Sequence, residues 1–140
     1  MTIARGALAA LLLLLAVGCS DDSSGDQSDD PTAAVEVEVG KAFTWNDFSV
    51  AEDWKLESSQ QMINMEELDR PFITGEVTND SDEARFALFE FVFVADGKLQ
   101  STIRCTSEKI PTGQTTELGC PGFQEVPQGY DLIQVQPVTR

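Results

Sequence analysis

Residues 86–97 read FALFEFVFVADG, and this stretch decides the fold. From Phe86 to Ala95 the chain is apolar on both alternating faces apart from Glu90, which predicts a central strand covered on both sides. Asp96-Gly97 follows at once. This dipeptide is the strongest short hairpin signal, because both central residues of a tight β-turn need positive φ. The returning strand is Lys98 to Cys105, with Leu99, Ser101, Ile103 and Cys105 on one face.

The period of two extends outward in both directions. Upstream, Val35, Val37 and Val39 alternate with Glu36 and Glu38, and Phe43 and Trp45 continue the pattern. Asn46-Asp47 reads as a turn. Phe48 and Val50, with Trp54 and Leu56, form the next strand, and Phe72 to Asn79 another, with Ile73, Gly75 and Val77 on one face. Downstream, Ile110-Pro111-Thr112-Gly113 is a turn, after which Thr115 to Cys120 pairs again with its predecessor. Pro121-Gly122 and Pro127-Gln128-Gly129 punctuate the return, and Tyr130 to Val138 is the last strand. About seven strands with turns every 8–12 residues predict an all-β, immunoglobulin-like antiparallel sandwich over residues 34–140. The least strand-like stretch is Ser58 to Arg70. There Met62, Met65 and Leu68 are spaced by three, as in a short helix or a long loop.

The chain of 140 residues has 24 acidic and 9 basic side chains, a net charge of −15, three cysteines and no histidine. That charge argues against a nucleic-acid partner, whose phosphates are bound by Lys and Arg. The missing histidine removes the commonest general base and a frequent zinc ligand. Hydrophobic residues at 41% are enough to bury a core.

Residues 1–18 carry one positive side chain, Arg5, before an apolar run from Ala7 to Val17. The run is too short for a bilayer core, which needs about 20 helical residues, and fits the apolar region of an export signal. Leu15-Ala16-Val17-Gly18-Cys19 resembles the bacterial lipobox. That resemblance implies cleavage before Cys19, a diacylglycerol on its thiol and an extracytoplasmic position on the cell membrane. Ala16-Val17-Gly18 also satisfies the cleavage rule of an ordinary secretory signal. Cysteine arithmetic favours lipidation, since it uses the odd thiol and leaves Cys105 and Cys120 as a pair. Residues 19–33 form an acidic linker with five aspartates and no large apolar side chain, expected to be a disordered stalk rather than a calcium site.

Cys105 and Cys120 lie fifteen positions apart, and export makes a disulfide the expectation. A redox or metal pair would call for C-x-x-C spacing or histidine. Asp80, Asp82 and Glu83 cluster on one turn and form a weak calcium candidate, without the ligand spacing of known calcium loops. Asn79-Asp80-Ser81 matches a glycosylation sequon, a coincidence behind a bacterial export signal.

Gly75-Glu76-Val77-Thr78-Asn79-Asp80-Ser81, then the strand ending at Asp96-Gly97-Lys98, then Ile110-Pro111-Thr112-Gly113-Gln114-Thr115, resembles a family of small bacterial lipoproteins. These carry an FxLYD-type or telokin-like, immunoglobulin-like domain, with acidic, disulfide-bearing versions in actinobacteria. Val94-Ala95 replace the family's Tyr-Asp pair. The resemblance covers residues 40–138, implies an extracytoplasmic sandwich, and supplies no catalytic residues.

Three classes of function follow. An enzyme has the least support, with no histidine to activate a nucleophile and no glycine-rich phosphate loop. A lipid-anchored binding module is the expected class, with Trp45, Trp54 and Met62–Leu68 as contacts wherever they are exposed. The two tryptophans read equally as core. A carrier of a small apolar ligand between the sheets is the alternative. The expected partners are the membrane, through the lipid, and a cell-envelope protein or cell-wall component. A monomer without cofactors is expected.

Overall fold

In a computed structural model of the chain, the structure describes residues 30–140, so the signal run and the linker up to residue 29 lie outside the described residues. The described residues form nine strands and no helix: β1 (Val35–Val37), β2 (Phe43–Trp45), β3 (Phe48–Val50), β4 (Lys55–Ile63), β5 (Glu66–Asn79), β6 (Arg85–Ala95), β7 (Lys98–Ile110), β8 (Thr115–Pro121) and β9 (Leu132–Gln136). They build two antiparallel sheets. The first runs β1-β9-β6-β7. The second is organised on β5, the longest strand. β8 pairs with Phe72–Thr78 of β5, and that span overlaps the segments paired with β3 and with β4. Therefore β8 occupies one edge of β5, while β3 and β4 follow each other along the other.

The core lies between the sheets. Phe89, Phe91 and Phe93 point inward from β6 and are fully buried. Each such ring contributes about 1.5–3 kcal/mol by leaving water. Trp54, with no exposed surface, lies 5.0 Å from Phe91, and Phe43 stands edge-on to both rings at 6.0 and 5.9 Å. Trp54 sits where β3 breaks from β4, and its indole Nε1 donates to the Lys41 carbonyl at 2.7 Å. A Cβ on Gly75 would stand 2.8 Å from the Trp54 Cβ, so this close approach of strand to tryptophan requires glycine.

The all-β sandwich agrees with the sequence, and the details depart from it in four places. Nine strands replace seven, partly because the stretch expected to run from Phe48 to Leu56 is interrupted at Ala51–Trp54. Ser58–Arg70, expected as helix or loop, is the distal part of the β4–β5 hairpin. Asn64 and Met65 turn it with φ of 53° and 70°, the geometry that Asn-Gly would have announced. The outer face of β6 is only half covered. Val92 and Glu90 are buried, but Phe86 is 61% exposed and Leu88 is also exposed. Finally, β8 does not hydrogen-bond to β7. It belongs to the other sheet, β7 continues past Cys105 to Ile110, and β9 is shorter than Tyr130–Val138.

Candidate functional site

The strand directions give the domain two poles. At one, the N-terminal segment joins the sandwich: the Asn46 N–H donates to the Pro31 carbonyl at 3.0 Å, and the Trp45 indole donates to the Ala33 carbonyl at 3.1 Å. The loops at residues 80–84 and 111–114 lie at this same pole, since the Asp80 N–H donates to the Asp47 carbonyl and the Gly113 N–H to the Asn79 carbonyl. From here β4 runs outward and β5 runs back, so their turn lies at the opposite pole.

The joining pole is organised by Asn79, which has no exposed surface. Its Nδ2 donates to the carbonyls of Glu83 at 2.8 Å and Ile110 at 2.9 Å, and its Oδ1 accepts from the Ser81 N–H and hydroxyl. Asp80 accepts from the Ser49 hydroxyl. The Arg85 guanidinium lies 3.7 Å from the Asp47 carboxylate and 5.0 Å above the Phe48 ring. Among the described residues, no three His, Cys, Asp or Glu side chains converge as metal ligands. Asp80, Asp82 and Glu83 thus share a loop whose geometry Asn79 and Ser81 explain. Asp30, where the described chain begins, has its carboxyl held below the ordinary carboxylate range by hydrogen bonds from the Thr32 hydroxyl and N–H.

Along the side, Cys105 of β7 and Cys120 of β8 form a fully buried disulfide between the two sheets. Both strands are edges, so the bond pins two open sheet edges together. Trp45 and Trp54 are core. Cys19 and the Leu15, Ala16, Val17 and Gly18 positions before it lie outside the described residues.

The far pole has a different surface. Beyond Ser58 and Pro71 the β4–β5 hairpin continues as a two-stranded ribbon that β8 no longer flanks. At about 3.3 Å per residue, its last five pairs span roughly 16 Å. Met62 is 67% exposed, Met65 94%, and Ile63 is also exposed. Phe123, 81% exposed, follows β8 beside the ribbon, and its carbonyl accepts from the Arg70 guanidinium at 2.7 Å. Met65 holds a positive φ that favours glycine, at a cost of about 1–2 kcal/mol to a side-chain-bearing residue. A long apolar side chain therefore occupies the turn position where it is least favoured and buries almost nothing. Backbone strain of this kind concentrates at functional sites.

Sequence reasoning selected Met62–Leu68 as a contact candidate but missed Phe123. Its signal was Pro121-Gly122, which ends β8 and turns the next side chain outward. A groove of about 700 Å³ also opens where the chain leaves β1 and where it enters β9, lined by Glu36, Glu38, Lys41, Tyr130 and Asp131 among others. It is open to solvent and carries no convergent catalytic set. Comparison with protein-family models, with curated proteins and with solved structures finds no match.

Proposed function

We propose that this protein is a lipid-anchored, extracytoplasmic binding module without catalysis of its own, which presents the β4–β5 ribbon to a cell-envelope protein. The observation that carries the reading is the exposed apolar tip formed by Met62 and Met65, placed at the pole opposite the N-terminal attachment. A module tethered through the linker that precedes Pro31, where the chain joins the sandwich, would hold this tip away from the lipid surface. The charge of −11 on residues 34–140 works in the same sense, repelling anionic headgroups within about a Debye length. The carrier reading has less support, because the Phe89, Phe91, Phe93 and Trp54 side chains occupy the space between the sheets.

The test places a photo-crosslinking residue at position 65 or at position 82 of the full chain and irradiates intact cells. Adducts of one defined size from position 65 and none from position 82 are expected, together with their loss in Cys19→Ala. Absence of adducts from position 65, or the same adducts from both poles, would sink the proposal. Mass spectrometry of the membrane fraction checks the anchor separately, with a diacylglycerol-modified Cys19 expected.

A further inference from the structure

Backbone parity on the ribbon identifies which peptide groups are still free. In a two-residue hairpin the positions flanking the turn exchange both hydrogen bonds, which makes Ile63 and Glu66 a bonded pair. Alternate pairs then bond as well: Gln61 with Leu68, Ser59 with Arg70, Glu57 with Phe72. Two contacts elsewhere on β5 agree with this parity. The Ala51 N–H donates to the Glu76 carbonyl on the β3–β4 side, and the Gly122 N–H donates to the Pro71 carbonyl on the opposite side. Even-numbered residues of β5 therefore face β4, and the odd-numbered residues of β4 are spent on the ladder. The N–H and C=O groups of Leu56, Ser58, Gln60 and Met62 point out of the sheet edge. Among the described residues, no backbone group bonds to them.

This edge is open only where the ribbon begins. Up to Trp54 it is covered by the segment leading into β2, since the Gly40 N–H donates to the Trp54 carbonyl. From Ser58 to Ile63 the strand reads SSQQMI, with no charge, no proline and no bulge. Those are the devices by which edges are normally kept from pairing. The other edges have them or are short. β1 and β2 have three residues each, β7 carries Lys98, Arg104, Glu108 and Lys109, and β8 ends in Pro121 and is tied to β7 by the disulfide.

We infer that the outer edge of β4 from Ser58 to Met62 is a strand-addition site for an extended polypeptide segment whose side chains alternate between basic and apolar. The segment would become a further strand of the β5 sheet, its backbone bonding to Ser58, Gln60 and Met62. Charge selects its chemistry. Glu57 on β4 and Glu66, Glu67 and Asp69 on the paired stretch of β5 outnumber Lys55 and Arg70, and Arg70 already donates to Phe123. The apolar half of the alternation matches Ile63 and Leu68 on one face of the ribbon, and the basic half matches Glu67 and Asp69 on the other. A second copy of this chain is disfavoured as occupant by the like charge of the two ribbons. The inference rests on the ribbon pole being the binding surface, and it adds the mode of binding and the partner's chemistry.

The test uses the full chain as cells make it, with a fluorescent ten-residue peptide alternating valine with lysine and threonine. Three comparisons are made: a peptide N-methylated at every second residue, a peptide with glutamate for lysine, and Gln60→Pro protein. Proline at position 60 removes one outward N–H without removing a ladder bond. Each change is expected to weaken binding at least tenfold at low salt. Bound peptide is expected to slow hydrogen exchange at the Ser58, Gln60 and Met62 amides at least tenfold, with the already protected Ser59, Gln61 and Ile63 amides unchanged. The exchange and N-methyl arms need no variant, so they decide the matter even where Gln60→Pro folds poorly. Equal binding of the N-methylated peptide, or unchanged exchange at the even-numbered amides, overturns strand addition. Equal binding of the acidic peptide, or a dimer joined along β4 in sedimentation, overturns the assigned partner. Crosslinks from position 65 that persist in folded Gln60→Pro cells overturn strand addition while leaving the pole assignment standing. Loss of those crosslinks from the parent chain would instead remove the pole assignment.

Discussion

Replacing Met65 by glycine is expected to make the protein more stable while removing its proposed contact. Three magnitudes enter. The side chain is 94% exposed, so its deletion forfeits almost no buried area. Its φ of 70° costs a residue with a Cβ about 1–2 kcal/mol, and glycine relieves that cost. Against this, glycine raises the conformational entropy of the unfolded chain, worth about 0.4–1 kcal/mol. The net gain for Met65→Gly is about 0.5–1 kcal/mol, a rise of a few degrees in melting temperature. Met65→Ala separates the two contributions, because alanine removes the long side chain but keeps the strained Cβ. It is expected within about 0.5 kcal/mol of the parent. Urea denaturation of the three proteins gives the free energies, and crosslinking from position 62 reports whether the partner is still engaged. Both variants should weaken that crosslink alike, although only one changes stability. If Met65→Gly melts below Met65→Ala, Met65 does not hold a strained positive φ. If both variants keep the full crosslink, the methionine is not a contact.

The joining pole offers a second test in Asn79→Asp, which puts a carboxylate oxygen against the Glu83 and Ile110 carbonyls in a fully buried site. A loss of about 3 kcal/mol at pH 7 is expected, about a 2 M drop in urea midpoint for an m-value near 1.5 kcal/mol/M. The introduced acid has its folded pKa raised, so the gap to the parent should narrow as pH falls through that pKa toward 4; a gap independent of pH would refute the burial argument. Converting Cys105 and Cys120 together to alanine should cost about 3 kcal/mol by the chain-entropy model for a loop of this length, read by the same denaturation, and a loss under 1 kcal/mol would contradict a structural role. Gly75→Ala should cost about 1–3 kcal/mol by driving a methyl into the Trp54 backbone and Cβ, with a shifted tryptophan emission; an unchanged midpoint would show that the strand can yield there. Thr32→Val should move the Asp30 titration, followed by NMR, back up toward the ordinary carboxylate range, since the hydroxyl that holds the carboxyl low is removed.

The residues that resemble the lipoprotein motif acquire physical reasons. Gly75 admits Trp54, Val77 is core, and Asn79 with Ser81 closes the loop into β6. These positions lie toward the joining pole, and of the quoted motif Asp96-Gly97-Lys98 turns at the far pole, in the other sheet from the β4–β5 ribbon.

Local chemistry made much of the molecule legible from the residues alone. Period-two alternation, the Asp96-Gly97 turn and the Pro/Gly punctuation act between near neighbours, and they are enough to specify an all-β sandwich with β6 at the centre of a sheet. Three decisions waited for the tertiary structure. Whether β8 joins β7 or crosses to β5 depends on which edge offers unpaired peptide groups, a property of the assembled sheets. The same decision turned a pairing of neighbouring strands into a disulfide between layers. Whether Trp54 and Met62 are core or surface depends on what lies opposite them, and alternation alone cannot supply it. The β4–β5 turn was hidden because Met65 stands where turn chemistry asks for glycine. That local disagreement could be recognised only once long-range pairing had imposed the turn, and it lies at the pole proposed to bind.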